Sequence, residues 1–151
     1  MKTIKLFILI LSLAPLGVLS QNETEQEVIK KVIQSAYVDG LQNKGPVADI
    51  EKGFHPGFEL LGNKNNELTK FPIYSWIQYH KKKLAENPDS PTGAEVITCK
   101  FPLIDITGNA AMVKIELYKE GNILFTDYLS LYKFEEGWQI VSKIYYKHEK
   151  K

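Results

Sequence analysis

The chain has 151 residues, 44% of them apolar and 25% charged, with 19 basic groups against 18 acidic ones and a formal net charge of +1. That balance gives no general pull toward nucleic acid or anionic lipid, and every basic residue is lysine, so the planar fork that arginine offers to phosphate is missing. Cys99 is the single cysteine, which excludes an internal disulfide and leaves stability to the apolar core.

The first 20 residues differ from the rest. MKTIK carries two lysines and no acid, and LFILILSLAPLGVLS is almost wholly apolar, ending on Val18 and Ser20 where a signal peptidase takes small residues. The apolar run is shorter than the ~20 residues that span a bilayer, and it contains Pro15. Residues 1–20 are therefore predicted to be a secretory signal peptide, and the product to be exported, periplasmic or secreted. Losing Lys2 and Lys5 with them leaves 131 residues with a formal charge of −1. That length suits one domain, 21–151, with no membrane span after cleavage.

Residues 25–43, EQEVIKKVIQSAYVDGLQN, set Val28, Ile29, Val32, Ile33, Ala36, Tyr37 and Leu41 at helical spacing, and Gly45-Pro46 ends the helix. A short second helix over 47–53 is stopped by His55-Pro56-Gly57. FELLG, the polar turn NKNNE and LTKF then read as a short strand pair. Pro72 opens a third helix over 73–85, with Ile73, Trp76, Ile77, His80 and Leu84 on one face, and 87–93 is a loop. From Glu95 onward come four long runs rich in β-branched and aromatic residues. TGN, EGN and EEG separate them, as hairpin turns do in an antiparallel meander.

The predicted fold is α+β: a cone-shaped, curved antiparallel sheet, four long strands plus a short strand pair, wrapped around three N-terminal helices. A pocket is expected at its wide end. In the last strand Trp138, Ile140, Ser142 and Ile144 share the predicted inner face, which also takes Asp127, Leu129 and Leu131 from the strand before. Tyr128, Tyr132, Val141 and Tyr145 then fall outside, an aromatic patch that predicts a homodimer through the outer sheet face. A one-residue slip would exchange the two faces.

The strings AYVDGLQNKG, FHPGFELLG, PIYSWI and DYLSLYKFEEGWQIVSKIYY carry a resemblance that covers nearly all of 23–148. The chain resembles the nuclear transport factor 2-like (cystatin-like) superfamily, and within it the "putative lumazine-binding" family of small secreted Bacteroidetes proteins. The family's name implies a pterin-like ligand; the superfamily holds isomerases, dehydratases, cyclases and binding modules. The resemblance to the ketosteroid-isomerase branch puts a pocket tyrosine on Tyr37 but the general-base position on Gly62. In the polyketide-cyclase-like branch, histidines of the last strand fall on Ser142 and Ile144. Neither source of acid–base chemistry is present at those positions.

Four residues are candidates for ligand contact: Tyr37, Trp76, His80 and Asp127. Tyr37 lies on the inner stripe of the first helix and needs a hydroxyl partner, since burying it unpaired costs ~1–3 kcal/mol. Asp127, an inward carboxylate among leucines, is either that partner or a ligand contact. Trp76 and His80 share the apolar stripe of the third helix; each reads as core or as pocket lining. His55 reads as structural, packed between Phe54 and Phe58, and Cys99 as an inert thiol. The three histidines show no ligand spacing, so no metal and no cofactor is expected. The leading expectation is a non-catalytic, exported domain holding a small apolar or aromatic molecule. The alternatives are an isomerase, dehydratase or polyketide-cyclase-like enzyme with Asp127 or His80 as base, or a dimeric interaction module with a filled pocket.

Overall fold

The structure, a computed structural model, describes residues 25–89 and 91–149. The predicted signal peptide lies outside them. The first helix, α1, is α-helical over 25–32 and continues as a π-helix over Ile33–Gln42. It is followed by α2 (Val47–Gly53), β1 (Phe54–Lys64), β2 (Glu67–Pro72), α3 (Ile73–Glu86), a single 3-10 turn at Gly93–Glu95, then β3 (Thr98–Thr107), β4 (Ala110–Lys119), β5 (Asn122–Phe134) and β6 (Gly137–Lys147).

Ile29, Ile33, Ala36 and Tyr37 of α1 are buried as their spacing predicts; Val28 stands exposed. The wide π turns end where the Asn43 N–H donates to the Val38 carbonyl, five residues back. Two glycines let α2 lie against α1. A Cβ on Gly53 would sit 2.3 Å from the Ala36 Cβ, and one on Gly40 would sit 2.8 Å from Ile50 Cγ1. Pro72 stands at the N-cap of α3, where its missing N–H costs nothing.

The six strands form one sheet in the order β2-β1-β6-β5-β4-β3. All neighbours are antiparallel except β1 and β6, which run parallel. The sheet is thus mixed where the sequence predicts only antiparallel pairing. The first strand closes its gap against the last one, a long-range partner that no hairpin turn announces. Within β1–β2, Asn65 and Asn66 both hold positive φ, as do Glu120 and Gly121 between β4 and β5, the geometry of a tight two-residue hairpin. The core fills the inside of the curve: Val113, Ile115, Leu117, Leu129, Leu131, Trp138 and Ile140 from the sheet meet Ile29, Ile33, Ile50, Phe54, Phe58, Ile73 and Ile77. Burying this set is the main favourable term in folding.

The register of β5–β6 corrects the predicted faces. The turn is Glu135-Glu136, so Phe134 pairs with Gly137 and Leu131 with Ile140. Ser130 then pairs with Ser142, leaving Val141 as an extra residue in β6. This β-bulge reverses the alternation for the rest of the strand. Trp138 and Ile140 point inward as predicted. Beyond the bulge Ile144, predicted inside, is 53% exposed, while Lys143, which strict alternation would put outside with Val141 and Tyr145, is 5% exposed. Asp127, Leu129 and Leu131 remain inside. Tyr128 and Tyr132 stay on the outer face, but Tyr145 pairs with Asp127 and so lies on the inner side of the sheet.

Candidate functional site

Three elements bring one cluster together at the inner face. The α1 spacing turns Tyr37 toward the sheet, the β5 alternation turns Asp127 inward, and the β6 bulge turns Lys143 inward to meet them. The Tyr37 hydroxyl donates to Asp127 Oδ2 at 2.6 Å. Lys143 Nζ donates to Asp127 Oδ1 at 2.9 Å and to the Tyr37 oxygen at 2.8 Å. Every member therefore contacts the other two, and each is almost wholly removed from water.

Aromatic rings surround the amine. Lys143 Nζ lies 5.0 Å from the Tyr37 ring centroid, 5.8 Å from Trp76 and 5.0 Å from Tyr145, within the range of cation–π attraction. Trp76 in turn packs on Tyr37 edge-to-face at 6.0 Å and on Phe71 at 6.4 Å. Phe71 and Tyr145 are exposed, so the cluster is roofed by rings that reach the surface.

The electrostatics follow from burial. Loss of water lowers the Lys143 pKa from its ordinary value, and Asp127 partly offsets this by favouring the charged amine. Burial and the neighbouring Asp127 hold the Tyr37 hydroxyl well above the usual phenol range, with the Gln42 side chain acting the other way. Taking an ion pair out of water rarely adds stability over an apolar replacement, so this one is better explained by what it does than by what it holds together.

Of the four predicted contact residues, Tyr37, Trp76 and Asp127 come together. His80 does not join them: it is buried on α3, and its Nε2 lies 2.9 Å from the Gly45 carbonyl, tying α3 to the end of α1. His55 is structural, though not between Phe54 and Phe58. It stacks on Phe134 at 4.7 Å, and its Nδ1 accepts the Gly57 N–H, while the two phenylalanines pack on each other. Cys99 is half-buried and bonded to Gln34, its thiol pushed up to about 11 by burial. Gly62, at the isomerase-like base position, faces Tyr145: a Cβ there would lie 3.8 Å from the tyrosine hydroxyl. Among the described residues no group of three or more His, Cys, Asp or Glu could hold a metal ion. A surface cleft of about 550 Å³ opens at the end of α1, lined by Gln42, Lys44, Ile97 and Lys119 among others; the cluster itself does not line it.

Residues 24–146 of the chain match a family model described as "Putative lumazine-binding". The chain belongs to that family. Among solved structures, a nuclear transport factor 2-like protein of unknown function from Shewanella baltica is similar at TM-score 0.65 and 28% identity, covering 85% of this chain and 97% of that one. A second, from Silicibacter pomeroyi, is similar at TM-score 0.63 and 20% identity, covering 86% and 98%, and supports the fold alone. "Aldolase FrzH" from Cladobotryum sp is 28% identical over 113 residues, 74% of this chain and 83% of that protein.

Lys143 is the member of this cluster that sequence reasoning missed. Strict alternation along WQIVSKIYY places it outside, and only the bulge at Val141 brings it in. The bulge also moves Ser142 and Ile144, the cyclase-like positions, away from the site. What faces the cluster from β6 is therefore Lys143 and Tyr145.

Proposed function

We propose that this member of the lumazine-binding family is an exported domain that holds a small, planar, partly aromatic molecule at the wide end of its cone. The observation that carries this reading is the Tyr37–Asp127–Lys143 cluster beneath Trp76. Trp76, Phe71 and Tyr145 offer flat apolar surfaces, and the cluster beneath offers a hydrogen-bond donor, an acceptor and a cation to one polar edge of a ligand. A pteridine-like ring, as the family's description implies, has this division between faces and edge. Entry requires Trp76 to swing aside, because the cluster is closed in this structure.

Fluorescence titration with lumazine tests the reading. Binding at the cone mouth is expected to quench Trp76, and Trp76→Phe is expected to abolish the change while the emission of buried Trp138 remains. A titration that leaves tryptophan emission flat across a range of pteridines and aromatic carbonyl compounds contradicts it.

A second reading is favoured by the aldolase relative. In it the same cluster performs acid–base chemistry on a carbonyl compound, with Asp127 as the base and Tyr37 as the proton donor to the developing oxyanion. His80 is committed to the Gly45 carbonyl and takes no part in this scheme.

The outer face carries its own proposal. Tyr128, Tyr132, Met112, Leu103 and Ile144 are exposed on the convex side, and we assign that side to a homodimer contact. Val141 contributes only through its bulge, and Tyr145 belongs to the cone mouth instead. Residues 1–20 supply the export signal in this scheme. Among the described residues no helix is long and apolar enough to cross a membrane.

A further inference from the structure

We infer that the Lys143 amine is a covalent capture group: it condenses with the carbonyl carbon of an aldehyde or ketone that carries an aromatic flank, releasing water to form a protonated imine. This rests on the cone mouth being a ligand site, and it names the chemistry of that site. Lysine is abundant in this chain, yet Lys143 is the buried one among the described residues. Its inward position depends on an added residue in β6, and bulges that re-aim a single side chain recur beside active sites. A surface lysine is kept protonated by water. Lys143 instead has a carboxylate at 2.9 Å to take its proton and a phenol at 2.8 Å to pass one on.

The proton inventory closes within the cluster. The Lys143 ammonium gives a proton to the Asp127 carboxylate. The free amine lone pair then forms a C–N bond to the carbonyl carbon, and the C=O π pair moves to oxygen. That oxygen takes the Tyr37 proton, and the Tyr37 phenolate recovers one from the new ammonium nitrogen, to which its oxygen is already hydrogen-bonded. Asp127 next protonates the carbinol oxygen, the C–O bond breaks and water leaves. The iminium remains on Lys143 and Asp127 is again a carboxylate, placed to accept an acidic proton from the adjacent carbon. No oxidant, reductant or metal is consumed. The rings of Trp76, Tyr37 and Tyr145 flank the nitrogen, which is why an aromatic flank suits the carbonyl compound. Burial, which lowers the lysine pKa, raises the share of free amine at neutral pH.

The test uses wild-type protein and 1-phenylbutane-1,3-dione, a diketone that gives a stable, absorbing enaminone with a reactive lysine and needs no reductant. The expected result is one adduct per chain, mapped by peptide mass spectrometry to Lys143. It should form about 100-fold faster than on any exposed lysine, the low end of what a positioned acid and base contribute. Asp127→Asn, which keeps the side-chain shape, should slow the adduct by about the same factor with the circular dichroism spectrum unchanged. Adducts spread over the exposed lysines with Lys143 lagging would overturn the inference, as would an Asp127→Asn rate equal to wild type. Tryptophan quenching by the same diketone separates the two ideas. Quenching without an adduct removes the covalent step and leaves the binding site, whereas neither quenching nor adduct removes both.

Discussion

Lys143 Nζ and Asp127 Oδ1 stand 2.9 Å apart inside the cone, with 5% and 0% of their side chains open to water. Their strands are neighbours, but the pairing exists only because the Val141 bulge turns the lysine inward. Breaking one partner leaves the other as an unpaired buried charge.

From that relationship follows an asymmetry between single and double variants. Asp127→Ala or Lys143→Met alone should each lower unfolding free energy by about 3–5 kcal/mol in urea titrations. Asp127→Leu combined with Lys143→Met should bring stability back to about that of wild type, because the surrounding rings accept an apolar pair. A double variant as unstable as the singles would mean that the pair is there for stability.

Tyr37 bridges the pair, and its hydroxyl is worth about 1–3 kcal/mol to Tyr37→Phe. It also sets an alkaline limit. Its folded pKa is raised above the unfolded value of 10.0. Between those two values the folded state holds a proton that the unfolded chain has lost. The Tyr37 contribution is therefore present in full below pH 10 and fades as pH rises toward the folded pKa. Lys143, with its pKa lowered, works in the opposite sense over its own range. Comparing wild type with Tyr37→Phe isolates the tyrosine: the stability difference should shrink as pH is raised above 10 in parallel urea titrations.

The seat of α2 depends on a missing side chain. A Cβ on Gly53 would overlap that of Ala36 at 2.3 Å. Gly53→Ala should therefore cost about 1–3 kcal/mol by overpacking, and Ala36→Gly in the same chain should restore part of it. Thermal melts of the two variants check this.

For the outer face, sedimentation velocity at micromolar concentration should give a dimer. Tyr132→Asp, which sets a charge on the exposed convex patch, should shift it to monomer without changing the circular dichroism spectrum. A wild-type monomer would remove the dimer proposal.

Much of this architecture was legible because apolar spacing in α1 and α3, and strand runs broken by glycine turns, are local signals. Tyr37 and Asp127 were placed inside for the same reason. Two things were not local. The β1–β6 parallel pairing joins the beginning of the sheet to its end, and nothing in FELLG specifies a neighbour more than 70 residues away. The Val141 bulge is one extra residue in an otherwise regular strand, and alternation has no way to register it. One signal pointed to it all the same. An inward carboxylate needs a counter-charge, and Lys143 on β6 is a cation that one added residue would bring in.

Native mass spectrometry of wild type and the Asp127→Leu/Lys143→Met variant, purified from the same exporting cells, reads directly whether the cluster holds a ligand. A small-molecule mass should be retained by wild type and lost from the variant. Wild type as bare as the variant, or the same added mass on both, would contradict a ligand site built on Tyr37, Asp127 and Lys143.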